Sequence, residues 1–301
     1  MQAFGAVLVV SAYFLLSITS FLIYSIIAQG MAQCIASGLQ NLLIVGILLV
    51  RGGFVKKIER PKSPGRIFFR SLTGVMYSYC YYSALKYASF AEVGVLTNSF
   101  PLFIVLIAWL VFKERVFSAQ WVALGLGIVG VWTILFSNAL SFWNVGVFYA
   151  TAASVFLAIA MIIMQKVSQF EDVHTYLLTF FTFNSLLLSP LIMNVFVMPT
   201  TREFLFCLVG AALTLVAQFL LFSAYKICSA SELAPYHFSF ALFHFLLAKG
   251  LFAFVPTVQF YIGASLIFLG GVVNLVLFER KGLERKQQIK GLEAEVTETT
   301  L

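Results

Sequence analysis

SALKYASFAEVGVLTNSFPLFIVLIA, residues Ser83 to Ala108, decides how this chain folds. Moved 140 positions along, it lies without a gap on Ser223 to Ala248, SAYKICSASELAPYHFSFALFHFLLA. Eleven of the 26 positions are identical, including Lys86/Lys226, Ser89/Ser229, Glu92/Glu232 and Ser99/Ser239. Shared hydrophobicity accounts for matched Leu and Phe, but it does not align Lys, Ser and Glu in register. The chain reads as an internal duplication, and a repeat of this kind organises everything else.

Outside that stretch the composition sets the solvent. Hydrophobic residues make up 61% and charged residues 10% of the 301, with a mean hydropathy of +0.98. A soluble domain carries roughly 25% charged residues, so this chain lacks the polar surface to face water all round. The reading is an all-α polytopic membrane protein with the lipid bilayer as its first partner. Cys34, Cys80, Cys207 and Cys228 are far apart in apolar runs without metal-type spacing, which reads as free buried thiols and no metal site.

Ten apolar runs are near the roughly 20 residues that a spanning helix needs: 4–28, 31–50, 67–86, 90–112, 118–136, 144–165, 173–198, 204–226, 230–253 and 257–279. The first lacks a basic start and exceeds a signal-peptide core, so it is expected to stay in the mature protein. The net charge of +7 is concentrated. Arg51, Lys56, Lys57, Arg60, Lys62, Arg66 and Arg70 fall in one interval, and Arg280, Lys281, Arg285, Lys286 and Lys290 follow the last run. With the amino terminus in the cytoplasm, sixteen Lys and Arg fall on that side and three (Lys86, Arg202, Lys249) on the other. The basic balance therefore reports topology and anionic headgroups rather than nucleic acid. Both termini are expected in the cytoplasm, with an inner-membrane location.

Five spans per copy is an odd number, so the second copy enters the bilayer from the opposite side. The expected layout is two inverted five-helix repeats, residues 1–140 and 141–280, followed by a polar tail at 281–301. Inverted repeats of secondary transporters place the substrate near the midplane between the copies.

YASFAEVGVLTNSFPLFIVLIAWLVFKERVFSAQWVALGLGIVGVWTIL, Tyr87 to Leu135, resembles the drug/metabolite transporter superfamily, EamA type. The Pro of the fourth span, the Lys113-Glu114-Arg115 turn and the Gly-rich fifth span carry the likeness; the second half lacks a charged turn after its ninth span. The resemblance implies a carrier of small metabolites without a cofactor, its cavity lined mainly by spans one, three, four, six, eight and nine. Within that group the chain is most similar to the S-adenosylmethionine carriers of obligate intracellular bacteria, which implies uptake of S-adenosylmethionine in exchange for S-adenosylhomocysteine.

Several residues are candidates for the cavity. Glu92 and Glu232 are ionisable groups within apolar runs, a functional hypothesis by default, and either can neutralise a sulfonium. Both also end S-x-x-E sequences, the capping box of a helix start. Asn98 stands next to Pro101, and Tyr236 and His237 next to Pro235; each Pro frees a backbone carbonyl, which a wet cavity re-satisfies, although a simple kink explains the pattern too. His237 and His244, seven apart on one face, are candidates for proton coupling or for hydrogen-bonded packing. Tyr13, Tyr77 and Tyr81 offer faces for a purine or a cation, Tyr77 and Tyr81 sharing a side of the helix; interface anchoring is their structural alternative. Gln218 is a polar group at depth on a cavity span, preferred over Asn184. Gly125, Gly127, Gly130, Gly263, Gly270 and Gly271 permit close helix contact and form no phosphate loop, which needs a strand-to-helix turn.

The sequence thus points to an alternating-access carrier. A proton-coupled amino-acid carrier of the same fold is the first alternative. A membrane enzyme or scaffold is the second, and it lacks a catalytic constellation at depth. Oligomeric state stays open.

Overall fold

The computed structural model describes residues 2–28, 31–55, 59–88, 90–112, 118–135, 145–228, 233, 236–237, 239–251, 257–266, 268–270 and 272–273. Ser89, Ser229, Glu232, Pro235 and the tail lie outside the described residues, and so do both expected S-x-x-E caps.

The described elements are α1 (Gln2–Ile27), α2 (Gln33–Val55), α3 (Pro64–Ala84), α4 (Phe90–Thr97), α5 (Phe100–Phe112), α6 (Ser118–Leu135), α7 (Val145–Ser168), α8 (Val173–Met193), α9 (Thr201–Ile227) and α10 (Ser239–Leu251). An apolar helical stretch at Val258–Gly270 follows. Among the described residues there is no strand. Five segments among the described residues, Phe4–Ile27, Gln33–Val50, Val145–Ser168, Val173–Met193 and Thr201–Ile227, are long and apolar enough to cross a membrane. Large apolar side chains such as Phe4, Phe69, Leu110, Phe148 and Met193 face outward, as a lipid-facing surface requires.

Local chemistry sets the helix ends. Pro64 occupies the first turn of α3, where its missing N–H costs nothing. Asp172 caps α8, accepting from the His174 N–H at 3.1 Å. Thr200 and Glu203 form a reciprocal capping box, T-x-x-E, at the start of α9.

The fourth run is not one helix. It divides at Asn98–Ser99 into α4 and α5 because Pro101 has no N–H for the Thr97 carbonyl. Ser154 of α7 takes over that role, its hydroxyl 2.7 Å from the Thr97 oxygen and 3.0 Å from the Leu96 oxygen. Arg70, counted from sequence with the basic loop, lies inside α3 and is only 3% exposed. Without it the sequence tally is fifteen against three.

The most extensive packing joins α1 to α9 and α3 to α7; α2 lies on α8 and α4 on α10. In run numbers these pairs are 1 with 8, 3 with 6, 2 with 7 and 4 with 9. The largest core cluster gathers Tyr13 and Phe100 with Phe222, Tyr225 and Phe240.

Candidate functional site

Where α1, α2, α3, α7, α8 and α9 converge they leave a cavity of about 140 Å³, room for on the order of ten water molecules. From α1 it receives Tyr13, Thr19 and Ser20; from α2, Ser37, Gln40 and Asn41. The α3 wall presents Arg70, Gly74, Tyr77 and Tyr81. Phe180 and Asn184 of α8, Thr214 and Gln218 of α9, and Phe240 of α10 complete the lining.

The α3 wall follows from helix geometry. Residues 70, 74, 77 and 81 are spaced i, i+4, i+7, i+11, which stacks them on one stripe. The Tyr77 and Tyr81 rings tilt against each other at 5.7 Å. Below them the Arg70 guanidinium lies over the Phe180 ring, 4.8 Å from its centroid. Gln40 Nε2 donates to Thr214 Oγ1 at 2.7 Å, joining α2 to α9. The Tyr13 hydroxyl, Asn184 Oδ1, Gln218 Oε1 and Arg70 Nε are buried and have no hydrogen-bond partner. Buried polar atoms of native proteins are nearly always paired, so these four lining groups mark where a ligand or water is received.

Of the residues singled out from sequence, Tyr13, Tyr77, Tyr81 and Gln218 line this cavity. Glu92, 6% exposed, is in the first turn of α4 and is not among the lining residues. Asn98 is buried at the α4–α5 break, where its Nδ2 donates to the Gly94 carbonyl. Tyr236 packs against the main core and His237 is fully buried, in a 3₁₀ turn that precedes α10. His237 Nε2 is 2.8 Å from the Tyr225 hydroxyl, and its ring meets Tyr13 edge-on at 5.1 Å. His244 is held from three sides, by Ser17 Oγ and the Phe240 carbonyl at Nδ1 (both 3.1 Å) and by the Tyr81 hydroxyl at Nε2 (2.9 Å).

Spans two and seven, α2 and α8, contribute to the wall where the family resemblance implied spans one, three, four, six, eight and nine. Among the described residues none of α4 or α5 lines it. Arg70, Gln40, Asn184 and Thr214 are the lining groups that the sequence reading passed over or ranked low. The four cysteines are free, three of them buried. Among the described residues no group of three His, Cys, Asp or Glu is arranged to hold a metal.

Three comparisons bear on this arrangement. A protein of known crystal structure superposes with a TM-score of 0.70 over 93% of this chain and 99% of its own, at 18% identity, which is a likeness of fold. The pseudopaline exporter CntI of Pseudomonas aeruginosa strain PAO1 is 27% identical over 193 residues, 64% of this chain and 67% of that protein. Its counterpart in strain UCBPP-PA14 is 26% identical over the same length. Residues 1–136 match the EamA-like transporter family. The likeness to that family rests on the first 136 residues, and the likeness to the exporters extends over 193.

Proposed function

We propose that the chain is an alternating-access secondary transporter of a small metabolite, built as ten spans in two inverted repeats, 1–140 and 141–280. The observation that carries the proposal is the central cavity, to whose walls α1, α2 and α3 of the first repeat and α7, α8 and α9 of the second both contribute. The helix packing supports the repeat. Exchanging run 1 with 6, 2 with 7, 3 with 8 and 4 with 9 turns the α1–α9 contact into α7–α3, and leaves α2–α8 and α4–α10 unchanged. A pseudo-two-fold axis predicts that correspondence. It supplies two conformations of similar energy, one open to each side. The basic-residue asymmetry supports cytoplasmic termini, and an inner membrane is the location proposed with them.

For the substrate, we infer S-adenosylmethionine, taken up in exchange for S-adenosylhomocysteine. The Tyr13, Tyr77 and Tyr81 rings offer faces to the adenine and the sulfonium, and Gln218 offers an acceptor. Glu92, Glu232, Asn98, Tyr236 and His237 keep secondary roles in this proposal, Glu92 or Glu232 as the neutralising carboxylate. Labelled S-adenosylmethionine uptake into proteoliposomes tests it. Preloaded S-adenosylhomocysteine should accelerate uptake at least tenfold over empty vesicles. Absence of uptake sinks the substrate, and unchanged uptake in Glu92→Gln and Glu232→Gln removes the carboxylates.

A second reading is favoured by the relatives, which export pseudopaline: efflux of an amino-acid-like metabolite, driven by protons. Uptake into inside-out vesicles that a protonophore abolishes, and that no internal substrate restores, distinguishes it from exchange.

A further inference from the structure

Arg70 is the one charged side chain among the described residues that line the cavity. It enters from α3 six residues past Pro64, about 9 Å along the helix axis, and is 3% exposed. Its guanidinium rests on the Phe180 face, leaving its edge for hydrogen bonding. Its Nη1 lies 3.1 Å from where a Cβ on Gly74 would stand, so the glycine keeps that edge uncrowded. Nε has no acceptor, and no Asp or Glu lines the cavity. Burying a cation without a counter-charge is costly. The same cavity holds the reverse deficit, because Gln218 Oε1 and Asn184 Oδ1 are acceptors without donors. Asn184 is one turn beyond Phe180 on α8, on the side that carries the Arg70 stack.

We propose that these groups form a receptor for the zwitterionic headgroup of an α-amino acid. Arg70 takes the carboxylate through its two-pronged edge, Gln218 and Asn184 accept from the ammonium, and the tyrosine faces hold the remainder. A single guanidinium among neutral amides suits a monoanionic carboxylate; a phosphate dianion would remain half-compensated. This inference rests on the transporter reading, and it covers both S-adenosylmethionine and simpler amino acids.

The test is thermal unfolding of the full chain in detergent, with S-adenosylmethionine, S-adenosylhomocysteine, methionine and glutamate as probes. Each amino acid is paired with its methyl ester, and 5′-methylthioadenosine serves as the probe without a headgroup. Carboxylate-bearing probes should raise the melting temperature of wild type, and the esters and 5′-methylthioadenosine should not. Arg70→Gln should weaken apparent affinity at least tenfold and Arg70→Lys less. The unliganded Arg70→Gln protein should melt at the wild-type temperature or above, because it loses a buried charge that faces no carboxylate in the cavity. The inference is overturned if esters stabilise as well as acids, or if Arg70→Gln binds unchanged. It is equally overturned if no carboxylate stabilises wild type, or if unliganded Arg70→Gln melts several degrees lower. Transport of a metabolite without a carboxylate would defeat the headgroup site while sparing the transporter; binding without transport would do the reverse.

Discussion

The Ser63 backbone N–H donates to Glu171 Oε1 at 2.6 Å, and its hydroxyl reaches the same oxygen at 2.7 Å. Lys62 N donates to Oε2 at 3.2 Å. A carboxylate from the α7–α8 turn thus satisfies free N–H groups where the chain enters α3, and Arg66 over Phe170 reinforces the contact at 5.7 Å. Glu171 is 4% exposed, and its loss leaves the half-buried Ser63 donors unpaired. Glu171→Ala should lower unfolding free energy by about 2–4 kcal/mol and Ser63→Ala by about 1 kcal/mol. A double-mutant cycle in detergent should return a coupling of about 1 kcal/mol or more; additive losses would mean that the two do not act together.

Ser154 makes a second linked pair with Pro101. Removing the hydroxyl in Ser154→Ala strands the Thr97 carbonyl and should cost about 1–3 kcal/mol. Pro101→Ala restores the N–H that this carbonyl lacks. The double variant should therefore recover at least half of the single variant's loss, measured by chemical unfolding. A double variant less stable than Ser154→Ala would refute the account.

Gly94 is where α4 meets α10. A Cβ there would stand 2.9 Å from the His244 Cβ and 3.0 Å from its ring, both anchored by the ring's three hydrogen bonds. Gly94→Ala should cost about 1–3 kcal/mol through overpacking. Gly46 has nothing within 4 Å of the same position, and Gly46→Ala should be neutral or slightly stabilising. Equal melting temperatures for the two variants would contradict the close contact.

Single cysteines introduced after Lys86 and Lys226, in a chain with its four native cysteines replaced, report topology. An impermeant maleimide should label the two from opposite sides of the membrane. Labelling from one side would remove the inverted repeat and the rocking mechanism with it.

The apolar stretches were legible because spanning helices must be long and apolar along their length. The break at Asn98–Ser99 was foreshadowed by Pro101, but the partner that repairs it, Ser154, lies 53 residues away and carries no local signal. Tyr77 and Tyr81 were found by their shared helix face. Two more turns along that stripe lead through Gly74 to Arg70, and the loop's charge cluster masked it. Sequence counting assigns a cation to a loop by proximity, whereas helix phase assigns it to a wall. Asn184 and Thr214 owe their place to how α8 and α9 are turned, which depends on the neighbours that each helix packs against.

The three contacts of His244 have a further consequence. The Phe240 carbonyl can only accept, so Nδ1 bears the hydrogen, and Nε2 gives its lone pair to the tyrosine hydroxyl. A hydron arriving at Nε2 must turn the tyrosine hydroxyl round from donor to acceptor, within the contact that joins α3 to α10. His237 differs, since its Nδ1 meets no partner. Of the two, the histidine of the 3₁₀ turn keeps a ring nitrogen open to a further partner, while its neighbour seven residues on serves as a peg.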